Sequence, residues 1–217
     1  MFRKSGIVVA AFLLFTTIGS CQDNRFDVSL GGAGVFSKKS SGNGTTLTPT
    51  NSGAVLITGR YRFSPRSSVE LNYSHTANSQ IYFAAPLTYR IHNTIGEYSG
   101  AYVLSFLESE RAEPFVLVGA AAVAFYPRYT GDTINGVETS IPASRQTKPA
   151  FLYGGGVDYH IFSALPLVRR SPLTAHLALR LQYRGLLYKA PDFKVQNLFT
   201  GDQGHLAEPS AGIVIKF

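Results

Sequence analysis

The chain has 217 residues and is 45% hydrophobic but only 15% charged, where about 25% charged residues is usual for a globular protein. Fifteen Phe and twelve Tyr with no Trp suit β-structure with one apolar face, and the length requires no more than one domain. The formal net charge of +7 falls to +5 once Arg3 and Lys4 are set aside; the remaining cations are spread along alternating positions and loops, so nucleic acid is not an expected partner.

Arg3 and Lys4, the apolar stretch from Ile7 to Phe15 and the small residues Thr16, Thr17, Gly19 and Ser20 have the order of an export signal. The apolar stretch is too short for a membrane-spanning helix. Residues 1–21 are therefore expected to be a signal peptide cleaved near Ser20 or Cys21, leaving residues 22–217 as the working domain. Cys21 is the single cysteine, which excludes an internal disulfide. It closes Ile18-Gly19-Ser20-Cys21, which resembles a lipoprotein lipobox, so two readings stand: lipidation at Cys21, or ordinary cleavage at the small residues.

Beyond Cys21 the dominant pattern is period two, which puts successive side chains on opposite faces of a strand. The first expected strand is Arg25 to Ser37, with Phe26, Val28, Leu30 and Phe36 facing away from Asp27, Ser29 and Gly31. The second, Ala54 to Phe63, sets Val55, Ile57 and Tyr61 against Thr58, Arg60 and Arg62. The third, Ser68 to Thr76, sets Val69, Leu71 and Tyr73 against Glu70, Asn72 and Ser74, and the fourth, His92 to Leu107, sets Tyr98, Tyr102 and Leu104 against Glu97 and Ser99. The fifth, Phe115 to Tyr126, is apolar on both faces, with Ala120, Ala122 and Ala124 on one of them. A buried helix competes there, but the flanking Pro114 and Pro127 and the strand neighbours favour a strand.

The sixth strand, Ala150 to Phe162, alternates Phe151, Tyr153 and Val157 with Gly154, Gly156, Asp158 and His160; glycine there is expected to leave room for bulky neighbours. The seventh, Leu173 to Tyr188, opposes Leu179, Leu181 and Tyr183 to His176, Arg180, Gln182 and Arg184. The eighth, Leu206 to Phe217, opposes Ala211, Ile213, Ile215 and Phe217 to Glu208, Ser210 and Lys216. The intervening segments are long at 38–53, 77–91, 127–149 and 189–205, short at 64–67 and 108–114, and intermediate at 163–172. Odd-numbered connections thus exceed even ones and belong at one end of a barrel.

Alternation alone does not say which face is outside, because a soluble barrel alternates with the opposite sense. Charge decides. The polar faces gather Arg60, Arg62, Glu70, Glu97, Asp158, Arg180, Arg184, Glu208 and Lys216, whereas the apolar faces carry essentially none and have aromatics near the strand ends: Phe26, Phe36, Phe63, Tyr73, Phe106, Phe115, Phe125, Phe151, Tyr183 and Phe217. That distribution matches lipid outside, aromatic girdles and a polar interior. Five cations and four acids would then share a narrow lumen as a network of ion pairs, since an unpaired buried charge is too unfavourable. Lipid also demands closure, because an open sheet edge would strand backbone N–H and C=O groups. The expected fold is all-β: an eight-stranded, antiparallel, up-and-down transmembrane β-barrel.

The final segment Pro209-Ser210-Ala211-Gly212-Ile213-Val214-Ile215-Lys216-Phe217, the run Glu110-Arg111-Ala112-Glu113-Pro114-Phe115-Val116 with Gly119, and Gly154-Gly155-Gly156-Val157-Asp158-Tyr159 resemble the small outer-membrane β-barrel proteins, a group that includes the OmpA transmembrane domain, OmpX and the opacity-type proteins. The resemblance covers residues 24–217. It implies a Gram-negative outer membrane, both termini in the periplasm, long surface loops, and a terminal signal at Ile213, Ile215 and Phe217 read by the insertion machinery. The peptidoglycan-binding domain of full-length OmpA has no counterpart here, so wall tethering is not expected.

The expected role is structural or surface-interacting, through loops carried on a rigid barrel, with outer-membrane lipids and lipopolysaccharide as partners and a monomer as the working form. No enzyme activity, cofactor or metal site is expected; the histidines are scattered and the acids do not cluster at ligand spacing. A lipid A-modifying enzyme and a narrow diffusion channel are the rivals. For the first, His75 with Ser74 and Asn78 is the group to test, with His160 and His176 near Asp158 a second. For the second, eight strands leave a lumen that side chains usually fill.

Overall fold

The computed structural model describes residues 25–106, 111–160 and 176–217. The expected signal segment with Cys21 lies outside them, as do Ile161 and Phe162 of the expected sixth strand and Leu173 to Ala175 of the seventh.

Twelve strands form one sheet: β1 (Phe26–Ser37), β2 (Ser40–Gly42), β3 (Thr45–Pro49), β4 (Ser52–Ser64), β5 (Ser67–Ala84), β6 (Leu87–Ser105), β7 (Ala112–Pro127), β8 (Thr133–Ile134), β9 (Val137–Glu138), β10 (Gln146–Tyr159), β11 (Leu177–Lys189) and β12 (Gln203–Lys216). Eight of them, β1, β4, β5, β6, β7, β10, β11 and β12, pair antiparallel in chain order. β12 returns to β1 from Asp27↔Lys216 to Ser37↔Leu206, so the wall closes. The seam is tied at its end by Phe26 and Phe217, each backbone N–H donating to the other's carbonyl at 3.3 and 2.7 Å.

The period-two pattern becomes an inside-out barrel. Leu71 is 71% exposed on the outer face, whereas its chain neighbour Glu70 is 1% exposed inside. Arg60 opposite Glu70, Asp158 opposite Arg180 and Arg184 opposite Glu208 are likewise buried. Inward residues are the odd-numbered ones on β1, β6 and β7 and the even-numbered ones on the other five strands.

β7 is a strand, and its two apolar faces do different jobs. Val116 and Val118 face outward, while Phe115, Leu117, Val123 and Phe125 are buried inside. Phe115 and Phe125 therefore do not belong to the outer aromatic belt where the sequence placed them. With both faces apolar, alternation on this strand carried no information about which was which.

The third connection is also different from expectation. Residues 77–91 are mostly strand, so β5 and β6 continue past the barrel wall and join through the two residues Ala85 and Pro86. β4 leaves β5 at Thr76 and β7 joins β6 only at Asn93. The projecting edges are covered instead, by β3 along Gln80–Ala84 and by β8 at Tyr89 and Arg90, which removes the free edges such a hairpin would present. That turn is no longer than the second connection, Pro65 and Arg66 between β4 and β5, so strict length parity fails. The other three connections at the hairpin end keep their length.

Glycine inside the barrel answers to the neighbouring backbone, and at Gly156 also to a bulky neighbour as expected, since a Cβ there would meet the Phe115 ring at 2.8 Å. A Cβ on Gly119 would meet the Gly100 carbonyl oxygen at 2.1 Å, and one on Gly154 would meet that of Tyr183 at 2.2 Å. Both positions let neighbouring strands coil closely enough to close a small barrel.

Candidate functional site

The interior has two chemical layers. Nearest the chain termini is an ionic one. Arg60 donates to Glu70 through Nε and Nη2 at 3.0 and 2.7 Å and reaches Asp158 at 3.3 Å. Arg180 holds Asp158 in a fork at 2.7 and 2.8 Å and Asp27 at 3.1 Å. Both guanidiniums lie over the Phe115 ring, 4.3 and 5.5 Å from its centre, a cation–π contact that desolvation strengthens. Closer to the termini, Glu113 accepts from Arg62 and from Lys216, the latter at 2.8 Å, and from the Ser105 hydroxyl at 3.2 Å. Farther in, Arg184 binds Glu97 at 2.8 Å and Glu208 with the same Nη2.

All nine residues assigned to the lumen by sequence are thus brought together. Three partners were missed. Asp27 sits at an inward position of β1 and was visible as such, but was not counted among the charges. Glu113 lay in a segment read as a connection. Gln182 donates to Glu70 at 3.4 Å. With Asp27 and Glu113 included, the interior acids rise from four to six against five cations, and every cation has a carboxylate partner.

Toward the other end the lining turns mainly apolar, with Asn78, Gln80 and Asn93 as a buried amide cluster beside it. Val35, Leu152, Leu186, Leu206, Phe125 and Tyr82 are buried there. Phe193 comes in from the segment between β11 and β12 and packs edge-on against Phe125 at 6.2 Å and Tyr82 at 6.3 Å. Phe193 and Lys194 adopt φ of 51° and 58°, which costs about 1–3 kcal/mol each. Burial of the Phe193 ring, worth about 1.5–3 kcal/mol, offsets part of this. The segment is anchored by Gln146, whose side-chain oxygen accepts from the Asp192 and Phe193 N–H groups at 3.2 and 3.1 Å and whose amide donates to the Asp192 carboxylate. Burial pushes the Asp192 carboxyl up, but the Gln146 amide, the Lys194 N–H and the Lys148 ammonium outweigh it and hold it below the usual range. The Tyr82 hydroxyl donates to the Pro191 carbonyl at 2.6 Å. Between the two layers a crevice of about 10 Å³ remains beside Ser29, Leu56, Arg180 and Gln182, room for a single water.

The histidines are dispersed. His75 is exposed on the outer face, 3.4 Å from the Tyr73 hydroxyl, whereas Ser74 and Asn78 are buried inside, so the wall separates His75 from the other two. His160 lies 3.5 Å from the Lys216 ammonium, and His176 is exposed just before β11; the pair does not converge on Asp158. Ile213 and Ile215 are exposed on the outer face of β12, next to the seam that Phe217 closes.

At the hairpin end, the turn between β2 and β3, Thr45 of β3, the Ala85–Pro86 turn with its flanking strand ends and the segment after β11 line an open groove of about 710 Å³.

Comparison with known proteins gives one family and a set of folds. A family model described as "Outer membrane protein beta-barrel domain" matches residues 7–203. No curated protein matches the sequence. Among solved structures, the chain is similar to Neisserial surface protein A, with TM-score 0.57 and 17% identity over 88% of this chain and 97% of that one. It is similar also to the outer membrane protein OprG of Pseudomonas aeruginosa, with TM-score 0.57 and 13% identity over 88% and 95% of the two chains.

Proposed function

Because the chain belongs to the outer membrane protein β-barrel domain family, we propose that it is an integral, monomeric barrel of a Gram-negative outer membrane whose lumen is closed and whose work is done by the hairpin-end loops. The observation that carries this reading is the stacking of two unlike layers inside the wall: paired charges toward the termini, and the Phe193–Phe125–Tyr82 cluster above them. An ion entering from the loop end would meet an apolar barrier, and an apolar solute would meet charges whose pairing it would have to break. Transport is disfavoured, and the exposed β5–β6 hairpin and its neighbouring loops remain as the contact surface. In this orientation both termini face the periplasm and the loops meet the outer leaflet, where lipopolysaccharide is the first partner. Ile213, Ile215 and Phe217 serve the insertion machinery, and no chemical step is assigned.

Purified barrel in planar bilayers is expected to give no discrete conductance steps; resolved, ion-selective openings would establish the channel reading instead. Lipid A mass spectra from cells with and without the gene should agree, and an acyl-chain difference abolished by His75→Ala would establish the enzyme reading. Vesicles carrying the barrel should bind bacterial or host cell surfaces through residues 128–145 and 190–202, and lose that binding when both segments are replaced by short Gly-Ser turns. Adherence untouched by the replacement would defeat the loop role.

A further inference from the structure

The hairpin-end groove is an open cleft of about 710 Å³, a size that falls within the ~300–1,000 Å³ range of small-ligand sites. Its sides are tied to one another. The Thr45 hydroxyl donates to the Asn197 carbonyl at 3.0 Å and the Asn43 amide to the Thr200 carbonyl at 3.4 Å, while β3 pairs with β5 from Thr45↔Ala84 onward. Gly201, at φ +69°, stands where a Cβ would crowd the Asn43 amide at 3.1 Å and the Phe199 ring at 3.4 Å.

Three features of the lining point the same way. No charged side chain is part of it, although the loops at this end carry Arg128, Arg145 and Lys194. Tyr89 lines the groove with its ring buried at 7% exposure, and its hydroxyl makes no hydrogen bond among the described residues, so that oxygen is open to a ligand. Phe199 leaves an apolar ring 53% exposed beside the exposed amides of Gln196 and Asn197, which make no side-chain hydrogen bonds among the described residues.

An ionic ligand would find no opposite charge in such a lining, and a hydrocarbon would leave the phenol and the amides unpaired. A sugar satisfies both halves. Its C–H face stacks on an aromatic ring, and its adjacent hydroxyls need groups that donate and accept side by side, as primary amides do. We propose that the groove binds an uncharged oligosaccharide, with Phe199 as the stacking platform, Gln196 and Asn197 meeting the ring hydroxyls, and Tyr89 closing the floor with one hydrogen bond. The proposal rests on the reading that the loops are the contact surface, and it names what one part of that surface recognises.

The test uses the full barrel in a detergent without a sugar head group, probed by saturation-transfer NMR. The probes are neutral trisaccharides of glucose, galactose, mannose and N-acetylglucosamine, with a sulfated disaccharide as the charged control. At least one neutral trisaccharide should receive saturation at its ring protons. Phe199→Ala should weaken that binding about tenfold, Tyr89→Phe less, and Gln196→Ala measurably. Heat-modifiable gel migration shows that each variant still folds, and Phe199 and Gln196 are both exposed positions. Transfer to no neutral trisaccharide, transfer to the sulfated probe alone, or transfer indifferent to Phe199→Ala and Gln196→Ala would each overturn the proposal. If those results came with cell-surface adherence that still required residues 190–202, the groove proposal would fall and the loop reading would stand; loss of adherence as well would take both.

Discussion

Arg184 holds two carboxylates, Glu97 and Glu208, through one nitrogen, Nη2, while its Nε and Nη1 are buried with no hydrogen-bond partner among the described residues. Its worth therefore lies in cancelling charge more than in filling its hydrogen-bond capacity. Removing one side of a buried ion pair typically costs about 3–5 kcal/mol, because the partner charge is left uncompensated, whereas removing all members can be close to neutral. Arg184→Met should lower stability by about that amount in urea unfolding from lipid vesicles. The triple variant Arg184→Met, Glu97→Gln, Glu208→Gln should recover most of the loss. A single variant as stable as the parent would mean that water or a counter-ion already screens the two acids. Phe115 shows the same logic from the apolar side, since both Arg60 and Arg180 rest on its ring.

How legible an element was depended on whether its two faces meet different surroundings. β4 (Ser52–Ser64) has apolar residues outside and Arg60 and Arg62 within, and the strand expected from Ala54 to Phe63 follows it to within two residues at either end. β5 could be read only to Thr76. Beyond that point the outer face no longer needs to be apolar and the inner one no longer needs to be polar: Tyr82 is buried inside while Phe83 is half exposed outside, and alternation ceases to sort them. The ionic lumen was legible because charges on a period-two strand have one place to go. The apolar layer was not, because Phe193 belongs to a connecting segment and its inward turn depends on left-handed backbone and on Gln146, distant in sequence. That anchor should respond to pH. A carboxyl held below its ordinary range in the folded protein contributes stability above about pH 4, its unfolded value, and loses it as pH falls through the lower folded value. Amide exchange at Phe193 and Lys194, corrected for intrinsic rate, should therefore accelerate on acidification below pH ~4, and Asp192→Asn should abolish that dependence; an unchanged acid step in the variant would assign it elsewhere. Strand coiling gives a second prediction. Gly119→Ala forces β7 away from β6, at about 1–3 kcal/mol for an overpacked site, whereas Ala122→Val on the outward face of the same strand should change the urea midpoint little.

At the scale of the whole barrel, two demands fall on the last residue, and they are separable. Phe217 completes the seam with Phe26 and, as proposed, ends the segment that the insertion machinery reads. The seam itself does not depend on it, because β1 and β12 pair from Asp27↔Lys216 through to Ser37↔Leu206, and the Lys216–Glu113 ion pair holds the same end of β12 from within. Closure of the sheet, the requirement that lipid imposes most strictly, survives the loss of one terminal pair. Deleting Phe217 should therefore leave refolding into detergent almost intact, with the folded form still migrating apart from the boiled form on a gel. In cells the same deletion should sharply reduce the amount recovered in the outer membrane. A deletion that fails equally in both settings would make Phe217 a structural residue of the seam, and one that passes in both would remove it from the insertion signal and leave Ile213 and Ile215 to carry that role.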